Sequence, residues 1–267
     1  MPLTWLYVPG DRPSVVAKAL AAGADVVLID LEDAVAPDRK EYARAATAEL
    51  LTAEPPVPVH VRVNALGSPA SEADLAALSA LRGLSGLRLP KVSAPAEVVR
   101  VAERTALPLH VLLESARGIE NAYALAGAHP AVRGVSLGEA DLRAELGVAD
   151  SGLDWMRSRV VCAARAAGLP SPAQSVYPDV RDLAGLAESC AHGKALGFLG
   201  RAAIHPRQLP VIERAYAPTT EEIEAAEEIA KAAVVGGGAL ALPDGRFVDA
   251  AIVAGAHRTL ALAHRRP

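Results

Sequence analysis

Glu114 and Asp141 each close a short apolar run, LHVLLE (109–114) and VRGVSLGEAD (132–141). If the two runs are consecutive parallel strands, their carboxylates come within reach of one cation. Two hard oxygen ligands, completed by water and substrate, describe Mg2+. No His or Cys stands beside them, which argues against zinc. The competing reading pairs Glu114 with Lys91 or Arg62 and binds no metal. Three more runs end in ionisable residues: VVLIDLED (26–33), VHVRVN (59–64) and LRLPK (87–91). A hydrophobic strand buries its body, so charges repeated at the same end imply a shared mouth. In a parallel barrel that mouth is the active-site face.

Arg62 offers a planar fork suited to a carboxylate on a small substrate; the alternative is an ion pair with Glu32 or Glu114. The turn SLGEAD (136–141) brings Gly138 and the first amides of a helix, those of Glu139 and Ala140, into a candidate anion cradle. An ordinary capped turn uses the same glycine. In DLED (30–33), crowded acids raise one another's pKa or demand cations. Glu32 and Asp33 are therefore candidates for a general base, or else partners of Lys91 or Arg12. His60 and His110 lie deeper on their strands and read as core histidines. The acids of TTEEIEAAEEI have helical spacing and read as a solvated face with a capping start.

These residues need strands to hold them. Apolar runs place strands near 4–8, 25–31, 58–63, 87–91, 108–114, 132–137, 172–176 and 197–200. Helices are predicted between and after them, near 13–22, 38–52, 71–82, 94–104, 116–127, 139–147, 152–168, 180–193, 206–215, 219–234 and 250–264. Eight alternations with short connections predict an α/β fold, a (β/α)8 TIM barrel with a C-terminal helical extension. No G-x-G-x-x-G follows a strand, so a dinucleotide-binding sheet is disfavoured. At 267 residues the chain fits one such barrel. Residues 1–235 are read as the catalytic barrel. Residues 236–267, opening on GGGALALPDG, are read as a hinge, a hairpin or loop, and a last helix for a lid or for oligomerisation.

Half the residues are apolar and only 3% aromatic, which suits helices against buried parallel strands. A net charge of −4 gives no footprint for nucleic acid. Cys162 and Cys190 are read as small buried hydrophobes in a reducing compartment. No leader precedes the first strand and no apolar run reaches membrane-spanning length, so a soluble cytoplasmic protein is expected.

Seven motifs in order resemble one family. LYVPGDRP (6–13), DLEDAV (30–35), VRVN (61–64), LPK (89–91), LLESARGIENA (112–122), GEADLRAELG (138–147) and GFLGRAAIHPRQ (197–208) are similar to the citrate lyase beta-subunit-like proteins of the aldolase/citrate lyase superfamily. The resemblance runs from about residue 4 to about 260. It implies a barrel assembled as a homotrimer or larger oligomer. The implied activity is cleavage or formation of the carbon–carbon bond between a 2-oxo acid, such as oxaloacetate, and the acyl end of a thioester. The thioester is carried by coenzyme A or an acyl carrier protein. It further implies Mg2+ on Glu114 and Asp141, and Arg62 on the oxo acid. Arg12, Lys91, Arg201 and His205 would lie near the thioester arm. Asp249 of DGRFVD would act in a neighbouring subunit's site. Malyl- or citramalyl-thioester hydrolysis, malate synthesis, and a subunit acting only with a carrier protein are the alternatives. The chain departs from several relatives in carrying Arg201 where they have Lys, and in lacking the early His used as base in the aldolase branch.

Overall fold

The computed structural model describes residues 1–236, 240–242 and 245–264. Seven parallel strands form one sheet: β1 Thr4–Pro9, β2 Val26–Asp30, β3 Val59–Arg62, β4 Gly86–Leu89, β5 Leu109–Leu113, β6 Val132–Leu137 and β7 Arg201–Ala203. Their order is β6-β5-β4-β3-β2-β1-β7, so the chain walks round the sheet and returns beside its first strand. Val27, Leu28, Ile29, Val59, Val61, Leu87 and Leu109 are completely buried. Such continuous burial follows from helices outside and a filled interior within, the (β/α)8 arrangement.

The eighth stave departs from expectation. Within 172–176 the only bridge is Gln174 with Arg201. Pro170 and Pro172 have no N–H to give, and proline interrupts a ladder. Three main-chain bonds hold the segment to the β7 side: Leu199 N–H to Pro172, Gln174 N–H to Gly200, and Ala202 N–H to Gln174. On the β6 side, the Ser175 hydroxyl donates to the Leu137 carbonyl at 2.5 Å. The last strand likewise begins at Arg201 rather than within 197–200. Gly197 and Gly200 have φ of 95° and 79°, outside strand geometry. A Cβ at Gly200 would lie 2.4 Å from the Leu3 carbonyl oxygen, so this crossing accepts only glycine.

Helix starts follow local chemistry. Pro13 opens helix Pro13–Leu20 at a position where its missing N–H costs nothing. Helix Pro69–Leu78 starts earlier than expected, capped by the Ser68 hydroxyl on Ser71 N–H at 3.1 Å. Ser71 and Asp74 therefore lie inside that helix. Asp74 is buried and accepts from Asn64 and Arg44. The expected helix 116–127 divides into Ala116–Glu120 and Ala122–Ala126 at Asn121, whose side-chain amide donates to the Ser93 carbonyl. Both cysteines are free; Cys190 is buried, but Cys162 is exposed, because it sits on the outer face of helix Asp154–Ala166.

Strands and helices through Ala215 make one compact unit, Pro2–Ala215. Met1 and Tyr216–Pro267 make a second. In the second, helix Thr220–Gly236 packs on helix Ala250–Ala263, and β8 Leu240–Ala241 pairs antiparallel with β9 Phe247–Val248. Thr219 and Glu222 exchange reciprocal capping bonds at the start of the first helix. The hinge glycines Gly237 and Gly238, and Asp244 of the DG turn, lie outside the described residues. No helix among the described residues is long and apolar enough to cross a membrane.

Candidate active site

The C-terminal ends of β2 to β6 supply a rim of charge. At the end of β2 the Asp30 carboxylate is almost fully buried and accepts from the main-chain N–H groups of Glu32 and Ala34, each at 2.9 Å. This turn aims Glu32 inward. Lys40 fixes the same turn by donating to the Leu31 and Glu32 carbonyls. At the end of β3, Arg62 closes its fork on Asp30, with Nε to Oδ1 and Nη2 to Oδ2 both at 2.7 Å. Its remaining Nη1 lies 3.0 Å from Glu32 Oε2 and 3.5 Å from Asp33. The expectation that the fork itself faces substrate is corrected: Asp30 takes two of its donors, and only Nη1 reaches the rim. Burial opposes the charge of Arg62, but the bonds and charge of Asp30 prevail and raise its pKa.

Glu32 is held between two cations, Arg62 and the Lys91 ammonium, the latter at 2.6 Å. Burial nonetheless lifts its pKa, against the pull of both. Lys91, just past β4, has φ 55°, a left-handed backbone unusual for a side-chain-bearing residue. Its N–H donates to Glu114 Oε2 at 3.0 Å, while its ammonium reaches Glu32 and Asp33. Lys91 thus belongs to the acidic rim.

Glu114 follows β5 and is 4% exposed. Burial first, then the charges of Glu32 and Asp141, push its pKa up to about 7, against Arg62 and the Lys91 N–H. Its Oε1 faces Gly138: a Cβ there would lie 2.7 Å from Oε1 and 2.3 Å from Cγ. Asp141 stands in the first turn of helix Glu139–Leu146, four residues beyond the end of β6. The two acids are thus electrostatic neighbours, one from a strand end and one from the helix after the next strand. Among the described residues no group of three or more His, Cys, Asp or Glu gathers to hold a metal. A pair of carboxylates beside water and substrate is what Mg2+ takes, so this donor set fits it. A buried, high-pKa carboxylate beside two other acids is also a group that a cation would relieve.

Gly138, Glu139 and Ala140 form the turn into that helix. The Glu139 side chain is not part of any cradle. It is buried against Arg157, which donates Nε to Oε1 at 3.0 Å and Nη2 to Oε2 at 2.7 Å. Arg157 also binds Asp150 and Asp154. The expected role of the Gly138 amide is corrected too, because its N–H donates to the Leu113 carbonyl at 3.0 Å, which leaves the amides of Glu139 and Ala140 for an anion. Arg157 in turn anchors the helix that carries Asp141.

The residues expected near a thioester arm scatter. Arg12 is largely exposed and 4.0 Å from Asp11. His205 accepts from Arg207 N–H at 3.1 Å and caps a short turn. Arg201 is corrected most firmly. It is 3% exposed, and its Nη1 donates to Gln174, Ser189 and Cys190, so it lies between sheet and helix Leu183–Ala195 and cannot present its charge at a surface. Asp249 belongs to the second unit and caps helix Ala250–Ala263 through bonds from Ala251 and Ile252 N–H, each at 2.9 Å.

Three residues escaped sequence reasoning. Asp30, the partner of Arg62, was legible as the last residue of an apolar run. Arg88, inside β4 and buried, carried the signal of an arginine amid a strand core. Arg157 had no signal beyond Asp154 three residues before it.

A family model for HpcH/HpaI aldolase/citrate lyase matches residues 3–206. The citrate lyase subunit beta-like protein of Mycobacterium tuberculosis is 36% identical over 265 residues, covering 96% of this chain and 93% of the relative. A (3S)-malyl-CoA thioesterase of Cereibacter sphaeroides is 36% identical over 269 residues, covering 97% and 93%. The crystal structure of the CitE protein of Mycobacterium tuberculosis, in complex with magnesium, acetoacetate and coenzyme A, superposes with a TM-score of 0.84 at 34% identity, over 99% of this chain and 98% of that one. With a full barrel matched in sequence and in space, this chain belongs to the HpcH/HpaI aldolase/citrate lyase family.

Proposed function

We propose that the protein is a Mg2+-dependent carbon–carbon lyase that cleaves a citryl, malyl or citramalyl thioester to an acetyl thioester and a 2-oxo acid. The observation that carries this reading is Glu114: a buried carboxylate, charge-coupled to Asp141, with one oxygen open beside a glycine. Relatives named for malyl-CoA chemistry, and a related protein crystallised with magnesium and coenzyme A, support it.

Glu114 and Asp141 would hold the ion, which when bound supplies electrophilic polarisation of the substrate's hydroxyl and its neighbouring carboxylate. Around it the chain's own groups divide the work. Glu32, lifted by burial, is the candidate to accept the hydroxyl proton. Arg62, through Nη1, and Lys91 face charge that develops on the oxo-acid side as the bond breaks. The amides of Glu139 and Ala140 receive a substrate carboxylate. Arg12 and His205 remain the candidates for the thioester arm. Asp249 is proposed to act in a neighbouring subunit of a homotrimer, either protonating the enolate carbon or, in a hydrolytic variant, activating water. We place this chemistry in the cytoplasm.

The test is Glu114→Gln. Turnover of a malyl or citryl thioester with added Mg2+ should fall at least 10³-fold; retained turnover in the folded variant rejects the site. Hydrolysis is the second reading, favoured by the thioesterase relative. Free CoA appearing in place of acetyl-CoA selects it. Productive binding of an acyl carrier protein, but not of free CoA, would instead mark a subunit that works with that partner.

A further inference from the structure

Arg88 is a buried cation without an anion. It is 5% exposed, on β4, and forms no ion pair among the described residues. Its one hydrogen bond among the described residues is a long one, Nη1 to the Ser136 hydroxyl at 3.5 Å. Its Nε is fully buried and has no partner. A guanidinium carries five N–H donors, so most of its capacity is unmet. The Trp5 ring lies 5.1 Å from its central carbon and the Tyr7 ring 6.0 Å. Aromatic faces offset part of the charge but cannot satisfy a planar fork. Nor can the imidazoles that share this interior. Burial, with the charge of Arg88, holds His60 down to about 3, and His110 is likewise neutral.

Position gives the unmet donors a purpose. The ladder sets Arg62 level with Arg88 and Arg88 level with His110, all on the inward parity of their strands. Tyr7 is shared: the Arg62 guanidinium lies 5.3 Å from the same ring. Ser136 is paired with Leu112 on β5, two residues before Glu114, and stands two residues before Gly138 on β6. Ser136 therefore marks a level one inward residue beneath the Glu114 rim, about 7 Å down the barrel, and Arg88, rooted one inward position deeper, level with His110, brings its guanidinium to that hydroxyl. That depth suits the far end of a four- or five-carbon acid whose near end sits at the rim.

We propose that Arg88, with Ser136, is the floor of the substrate pocket and binds a second, distal carboxylate, so that the oxo-acid half of the substrate is a diacid. The inference rests on the lyase reading for which end of the barrel receives substrate. It adds a subsite and a substrate class. A buried charge left unpaired is strongly unfavourable, and an incoming carboxylate with bidentate geometry removes that penalty as it binds. A monocarboxylic oxo acid leaves the guanidinium unmet and gains nothing from it.

Binding separates the two claims. Calorimetric titration of the full chain with Mg2+ present should give oxaloacetate and 2-oxoglutarate a Kd at least 30-fold below that of pyruvate or glyoxylate. Arg88→Met should erase that preference by weakening the diacids at least 30-fold while changing pyruvate less than threefold. Its melting temperature should not fall, because an unpaired charge has been removed. Should Arg88→Met fail to fold, Arg88→Lys serves, with an expected loss of about tenfold for diacids alone. An unchanged diacid-to-pyruvate ratio in either variant overturns the subsite, as does a wild-type protein that prefers the monoacids or binds neither class. Thioester turnover with a flat ratio sinks Arg88 and leaves the lyase reading standing. A diacid preference lost in the variant, without thioester turnover, does the reverse.

Discussion

The main-chain N–H of Lys91, a residue with a left-handed backbone of φ 55°, donates to Glu114 Oε2 at 3.0 Å. One residue thereby serves two acids, Glu114 through its backbone and Glu32 through its ammonium. Strain of this kind persists where surrounding contacts over-determine it, and it clusters at functional sites. Lys91→Gly and Lys91→Ala both delete the ammonium, but only Ala keeps the steric cost of a Cβ. The Gly variant should be the more stable by about 1 kcal/mol, or roughly 2–4 °C in melting temperature. Equal melting curves would show that the fold carries no strain there.

Glu114 makes stability fall with pH when no metal is present. Its folded pKa, about 7, lies above that of a carboxylate in an unfolded chain. Between those values the folded state keeps a proton that the unfolded state has lost. Stability is therefore greatest below the unfolded pKa and is lost as pH rises through about 7, by on the order of 3 kcal/mol. Urea unfolding in chelator from pH 5 to 9 should show this decline, and Glu114→Gln should flatten it. A wild-type curve already flat over this range contradicts the burial argument.

Gly138 is the space beside Glu114. An alanine there would set its Cβ 2.3 Å from Glu114 Cγ, so the carboxylate must turn away. Gly138→Ala should keep the barrel's circular dichroism yet weaken Mg2+ binding at least 100-fold in a calorimetric titration. Unaltered Mg2+ affinity would remove Glu114 from the ligand pair.

Asp249 has a structural duty that can be separated from a catalytic one. As an N-cap it accepts two main-chain bonds, and Asn caps as well as Asp does, whereas Ala costs about 1 kcal/mol. Asp249→Asn should therefore melt like wild type while losing most turnover. Mixing Asp249→Asn with Glu114→Gln subunits should restore part of the activity if the acid serves a neighbour. No recovery on mixing places it in its own site or in none.

Much of this geometry was written in strand ends. The apolar runs before Asp30, Arg62, Glu114 and Gly138 are long enough, and charged late enough, to fix both strand and rim. Side-chain pairing was less legible, because one residue of sequence reverses a face and no sequence pattern states which of three neighbouring acids a guanidinium will choose. Arg62 chose Asp30. Arg201 shows the same limit: the family resemblance set it near a thioester arm, while the parity of a three-residue strand sent it under a helix. The eighth stave was hidden for a different reason. PAQSV (172–176) reads as a strand, but prolines at 170 and 172 remove the amides a ladder requires.

The barrel's hoop is consequently latched unevenly. Beside β7 the stave at Gln174 is zipped by main-chain bonds, whereas beside β6 the described residues offer one serine hydroxyl on Leu137. Leu137 is the residue before Gly138, so the weakest latch adjoins the loop that delivers Asp141. A cylinder built this way breathes first at the place where its cargo must enter, and the amides after β6 should exchange with deuterium sooner than those of any stave opposite.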